Sequence, residues 1–154
     1  MSLKSPSEFM KHAIKEADMA YERGDLPIGA LIVDLKNENV VVHTGNRQSS
    51  VFDPTAHAEI SAIRDACQKL QSTYLTHHAI IVSTEPCTMC VSAIIKAKIS
   101  EIYYGVSVTE LINNGFNLIP ITCEEIVQKS NHHIKIVKNI MREDCLEQRL
   151  KYKH

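Results

Sequence analysis

The sequence predicts an α/β fold, a mixed five-stranded sheet sandwiched by helices. Three observations carry that reading. Five short runs rich in apolar and β-branched residues are spread over the 154 residues. The first two are separated only by Lys36-Asn37-Glu38, which makes them an antiparallel hairpin. After residue 55 the runs alternate with stretches of helical periodicity, which implies right-handed crossovers and parallel pairing.

Taken in order, Ser5-Pro6-Ser7-Glu8 reads as a helix start: a Ser cap, Pro at the first helical position, and Glu three residues after the cap. Phe9, Ala13, Ile14, Ala17, Ala20 and Tyr21 fall on one face, and Gly24 ends the helix. Ile28–Leu35 and Asn39–His43 form the hairpin, and Gly45–Pro54 is a polar loop. Thr55 or Asp53 is expected to cap a second helix with Ile60, Ile63, Cys67 and Leu70 as its buried stripe. Ala79–Ser83 is a strand broken by Thr84-Glu85-Pro86, and Cys87–Ala97 is a third helix with Val91, Ile94 and Ile95 apolar. Ser100–Val106 is the fourth strand, and Thr109–Asn114 makes a helical turn or two. Thr122 caps Cys123–Lys129, Ile134–Val137 is the last strand, and Met141–Tyr152 is a terminal helix. Residues 107–127 are expected to wall a pocket.

Composition narrows the classes of function. Seventeen Lys plus Arg stand against 18 Asp plus Glu, and 44% of residues are hydrophobic. A single domain over 1–154 is expected. The formal net charge of −1 argues against gripping nucleic acid by bulk charge alone. The longest apolar run, Ile28–Val33, falls far short of the roughly 18 residues that span a bilayer, so no membrane partner is expected. Met1–Ser5 has no apolar core of a secretory signal, and five cysteines are an odd number, so a reducing cytoplasm is the expected home. Cys67, Cys123 and Cys145 read as small buried hydrophobes.

Two segments carry chemistry, and both sit where a helix begins: Pro54-Thr55-Ala56-His57-Ala58-Glu59 and Glu85-Pro86-Cys87-Thr88-Met89-Cys90. Cys87 and Cys90 are i and i+3 on a first helical turn, so their sulfurs share a face. Unpaired amides and the helix dipole favour thiolates there, the forms that bind metal. With a neutral imidazole from His57 they make a three-ligand site that balances zinc and leaves the fourth tetrahedral position for water. Glu59 can take a proton from such a water and hand it to a leaving group. Residues two apart lie about 200° apart on a helix, so His57 and Glu59 converge only if the helix begins at about His57. Other readings stand beside this one. A Cys-x-x-Cys pair also serves redox chemistry or a structural zinc, whose fourth ligand would come from Cys67, Cys123, Cys145 or another His. His-x-Glu alone is an ordinary helix start, and Asn46 alone a turn residue.

His57-Ala58-Glu59 followed by Pro86-Cys87-Thr88-Met89-Cys90 resembles the signature of the zinc nucleobase deaminases. The likeness runs from about Asp25 to Gly105, through Gly24–Ala30, Gly45-Asn46, Asp53–Ile60 and Thr84–Cys90. It is similar to the branch of the cytidine/deoxycytidylate deaminase-like family that holds guanine deaminases and tRNA adenosine deaminases. The resemblance implies a three-layer α/β/α sandwich and a homodimer. It implies one catalytic zinc with a bound water, held by His57, Cys87 and Cys90, with Glu59 shuttling protons and Asn46 hydrogen-bonding the base.

The expected reaction is hydrolytic removal of an exocyclic amine, with release of ammonia, from a free nucleobase or nucleoside, purine-like such as guanine. Deamination of adenosine to inosine in tRNA is the alternative, and a zinc-stabilised binding module without turnover the minor one. The tRNA-editing relatives carry an Arg-Asp-Ala-Lys-x-Gly run where this chain has Gly105-Val106-Ser107-Val108-Thr109-Glu110. Gly115-Phe116 resembles a guanine-deaminase segment in which two acids follow, here replaced by Asn117 and Leu118. From Gln128 to His154 there are seven Lys plus Arg against three acids. Such a helix could touch RNA phosphates or simply face solvent.

Overall fold

A computed structural model describes residues 2–151. The elements are α1 (Pro6–Glu22), β1 (Gly29–Asp34), β2 (Val40–Gly45), α2 (Ala58–Leu70), β3 (His78–Thr84) and α3 (Thr88–Lys96), followed by β4 (Glu101–Val106), α4 (Val108–Asn113), α5 (Cys123–Lys129), β5 (Lys135–Val137) and α6 (Arg142–Leu150). One sheet holds all five strands in the order β2-β1-β3-β4-β5. β1 is antiparallel to β2 and β3, whereas β3, β4 and β5 run parallel. The hairpin and the two parallel crossovers are those expected from the pattern of runs.

Side chains on the central strands alternate between two apolar layers. Ala30, Ile32, Ile80, Val82, Ile102 and Tyr104 face α2, α3 and α5. Leu31, Val33, Ala79, Ile81 and Tyr103 face α1 and α6. Both faces being covered, these strands read as unbroken apolar runs rather than alternating ones. The result is a three-layer α/β/α sandwich, and no helix among the described residues is long and apolar enough to cross a membrane.

Several local expectations need correction. The buried face of α2 is Ala58, Glu59, Ser61, Ala62 and Ala66, while Leu70 is exposed and Ile63 and Cys67 only flank the core. Alanines let the helix lie close to the sheet, so the larger residues sit at its shoulders. Neither Asp53 nor Thr55 caps α2. Asp53 Oδ1 accepts the Thr55 amide and hydroxyl in a local turn, and His57 occupies the cap position. On α1, Met10 is buried and Tyr21 is exposed, because the face that meets the sheet is rotated toward Ala13, Ala17 and Ala20. Thr122 and Glu125 form the reciprocal cap of α5. The terminal helix runs Arg142–Leu150, and Tyr152 lies outside the described residues.

Two glycines mark contacts that tolerate no side chain. A Cβ at Gly29 would collide with the Ala13 carbonyl, which lets α1 press onto β1. At Gly105 it would collide with Cys145 Sγ and lie 2.6 Å from the Ser83 carbonyl oxygen, so α6 is seated in a notch on β4.

Candidate active site

The site lies at the C-terminal ends of β1's partner strand β3 and of β4, where α2 and α3 begin. Open α/β sheets place ligands at such ends. His57 and Cys87 are the N-cap residues of α2 and α3, both with extended backbone (ψ 157° and 174°) and neither side chain making a capping hydrogen bond. Their side chains are therefore free to turn toward each other. His57 Nδ1 lies 3.6 Å from Cys87 Sγ and 3.5 Å from Cys90 Sγ. The helix start at His57, expected from geometry, also puts Glu59 on the inward side of the first turn, 3% exposed.

Among the described residues, His57, Cys87 and Cys90 are the one group of three such donors close enough to share a metal ion. Zinc fits them. Zn–S bonds of about 2.3 Å and a Zn–N bond of about 2.05 Å at tetrahedral angles give N···S edges of about 3.6 Å. Taken by themselves the donors form one hydrogen-bond network. The Cys90 thiol pulls Cys87 down to about 4 against its burial, with His57 helping. The same bond pushes Cys90 up, and the bond to Cys87 raises His57. The network favours the thiolate on Cys87, and a cation can take the place of the shared protons. Burial pushes the Glu59 carboxyl up to about 7, and the charge on Cys87 adds to that.

His57, Glu59 and Cys87 open onto a cavity of about 380 Å³. Leu26, Ile28, Gln48 and Pro54 form one wall, and Val108, Leu111, Asn117, Leu118 and Ile119 the opposite one. The second wall is the expected contribution of residues 107–127. A larger depression of about 700 Å³ beside Glu101 and His132 lies away from the donor cluster. Two buried carboxylates hold the walls. Glu85 Oε1 accepts the Val108 amide at 2.9 Å and Oε2 the Cys123 amide at 2.6 Å, tying the starts of α4 and α5 to the Cys87 loop. Asp25 accepts the Ser49 and Ser50 amides at 2.9 Å, the Ser50 hydroxyl at 2.5 Å and Arg23 Nε at 3.3 Å. Burial alone would raise Asp25; those hydrogen bonds outweigh it and hold the carboxyl below its ordinary value.

Asn46 is fully buried and is not brought to the cavity wall. Its Oδ1 accepts the Gln48 amide at 2.9 Å and its Nδ2 donates to Gln48 Oε1 at 2.6 Å, so Gln48 is the residue that faces the cavity. Sequence reasoning missed Gln48 and Arg149, which also lines the cavity, and the double role of Glu85. Only Glu85 left a signal, its place directly before Pro86-Cys87.

Residues 3–106 match the family of the cytidine and deoxycytidylate deaminase zinc-binding region, and the chain belongs to that family. It is a zinc deaminase, a hydrolase acting on C–N bonds. It is 36% identical over 140 residues to the tRNA-specific adenosine deaminase of Buchnera aphidicola subsp. Schizaphis graminum, covering 90% of this chain and 87% of that one. A solved structure from work on A-to-I editing by tRNA:A34 deaminases matches with TM-score 0.79 and 33% identity, covering 92% of this chain and 99% of that one. Guanine deaminase from Bacillus subtilis matches with TM-score 0.66 and 34% identity, over 71% of this chain and 69% of that one.

Proposed function

We propose that this deaminase converts adenosine to inosine in tRNA, with His57, Cys87 and Cys90 as zinc ligands and Glu59 as the proton carrier. The observation that carries the chemistry is the imidazole nitrogen within 3.6 Å of two sulfurs at the starts of two helices, with a buried carboxylate on the same cavity wall. The substrate reading rests on identity held over most of the chain: two RNA-editing relatives are 36% and 33% identical over about nine-tenths of it, whereas a guanine deaminase structure that covers 99% is 19% identical and one at 34% covers 71%. This favours RNA over the free purine base that the local motifs suggested first.

Zinc, when bound, supplies a water that ionises near neutral pH. Glu59 accepts a proton of the attacking water at a carboxylate oxygen and delivers it to the ring nitrogen beside the amine, then takes that water's second proton and passes it to the amino group, which departs as ammonia. Leu26, Ile28 and Leu111 exclude water around the ring. Asn46 acts through Gln48, holding its side chain against the cavity. A cytoplasmic homodimer completes the proposal.

Ammonia release is the test, measured on an anticodon stem-loop with adenosine at the wobble position and on free adenosine, adenine, guanine, cytosine and their nucleosides. RNA is expected to be turned over with inosine formed. Rapid release from guanine with the RNA untouched would restore the free-base reading, and stoichiometric zinc with no ammonia from anything would leave a binding module.

A further inference from the structure

Arg149 is the one Arg or Lys among the residues lining the cavity, and the chemistry above leaves it unused. The residue is 7% exposed, yet Nε and Nη1 have no hydrogen-bond partner. Its guanidinium lies over the face of Phe116, 4.7 Å from the ring centroid. Arginine stays charged under burial, and a buried cation without an anion costs stability. The nearby carboxylates are committed elsewhere. Glu85 takes the amides of Val108 and Cys123, Glu110 pairs with Arg142, and Asp18 accepts from Gln148.

Nor is Arg149 loosely placed. Gln148 Nε2 donates to the Ile14 carbonyl at 2.9 Å and to Asp18 at 2.8 Å, fastening α6 to α1. Arg142 joins α6 to Glu110 of α4, and Cys145 fills the Gly105 notch. The helix is pinned at three points, so the guanidinium is held ready for an acceptor that the chain does not provide.

We propose that Arg149 binds a phosphate group of the substrate, so that the cavity takes its base in phosphorylated form. The proposal rests on the deaminase reading of the site. Nucleobases carrying an exocyclic amine are neutral near pH 7, and the anion that accompanies them is phosphate. It reaches the cavity as a backbone phosphodiester of RNA or as the phosphate of a mononucleotide. Arginine is suited to either, because its planar fork offers two parallel charge-assisted bonds.

The test uses Arg149→Met, which keeps the length of the side chain without its charge, and Arg149→Lys as a second variant. Inorganic phosphate, against chloride at equal ionic strength, should raise the Tm of the zinc-loaded wild type and leave that of Arg149→Met unmoved. Without phosphate, Arg149→Met should melt at or above the wild-type temperature, since an unpaired buried cation has been removed. In kcat/KM, the preference for phosphorylated over unphosphorylated substrate should fall about 10- to 100-fold in Arg149→Met, with partial recovery in Arg149→Lys. The stem-loop, adenosine monophosphate and adenosine separate the two sources of phosphate. Equal losses on nucleoside and phosphorylated substrate, or an equal phosphate shift in wild type and Arg149→Met, would overturn the assignment. If a mononucleotide is turned over and RNA is not, the tRNA reading fails while Arg149 keeps its role. If RNA is turned over with the preference unchanged in Arg149→Met, the reverse holds. If neither is turned over, the phosphate shift in Tm decides.

Discussion

Replacing Glu85 by Gln tests whether one buried carboxylate holds the far wall of the cavity. The shape is kept, but one acceptor oxygen becomes a donating amide, so either the Val108 or the Cys123 N–H meets another N–H. A charge-assisted bond is worth about 1.5–3 kcal/mol, and leaving a buried amide unpaired costs about 1–3 kcal/mol. The two figures overlap, because they concern the same amide, and a net loss of about 2–4 kcal/mol follows. Urea unfolding of the zinc-loaded protein reads it as a lower midpoint at unchanged slope. Val108 lines the cavity, and the segment leading from α4 to Cys123 carries Asn117, Leu118 and Ile119. KM should therefore rise more than kcat falls, with zinc content unaltered. A variant within about 0.5 kcal/mol of wild type and with the same KM would refute the reasoning.

Glu59→Ala should retain one zinc per chain and lose about 10²–10⁴-fold or more in turnover, whereas His57→Ala, Cys87→Ala and Cys90→Ala should lose the metal itself; elemental analysis beside an ammonia assay separates the two classes. Gly105→Ala should cost about 1–3 kcal/mol by forcing α6 from its notch, and a thermal midpoint equal to wild type would show that the notch is not tight. Asp25 has a folded-state pKa below its value of 3.8 in the unfolded chain, so its stabilisation is present above that value and is lost as pH falls through the folded pKa. Asp25→Asn should lower stability at neutral pH and flatten the acid limb of a stability–pH curve; an unchanged limb would count against the role of the carboxylate.

Much of the fold was legible because its signals are local. The three-residue gap between Asp34-Leu35 and Asn39 announces a hairpin, and Thr122 with Glu125 announces a helix start. The face of α2 was misread because core contact there is made by Ala58, Ala62 and Ala66, whose small size marks close approach rather than bulk apolarity. The metal donors were legible for a similar reason: Cys87 and Cys90 are neighbours on one turn, and the pairing of His57 with Glu59 constrains where their helix begins. Gln48 and Arg149 were not. The first reaches the cavity because Asn46 holds it, and the second because α6 packs across β4 onto α1, and neither contact leaves a periodic trace.

The imidazole and the thiols spring from two different chain turns, thirty residues apart, and neither His57 nor Cys87 uses its side chain to cap its own helix. An ion joining them is thus a cross-link as well as a reagent. Its affinity is drawn partly from fastening two βα units together, so starving the protein of zinc should fray the mouth of the sandwich before the sheet gives way.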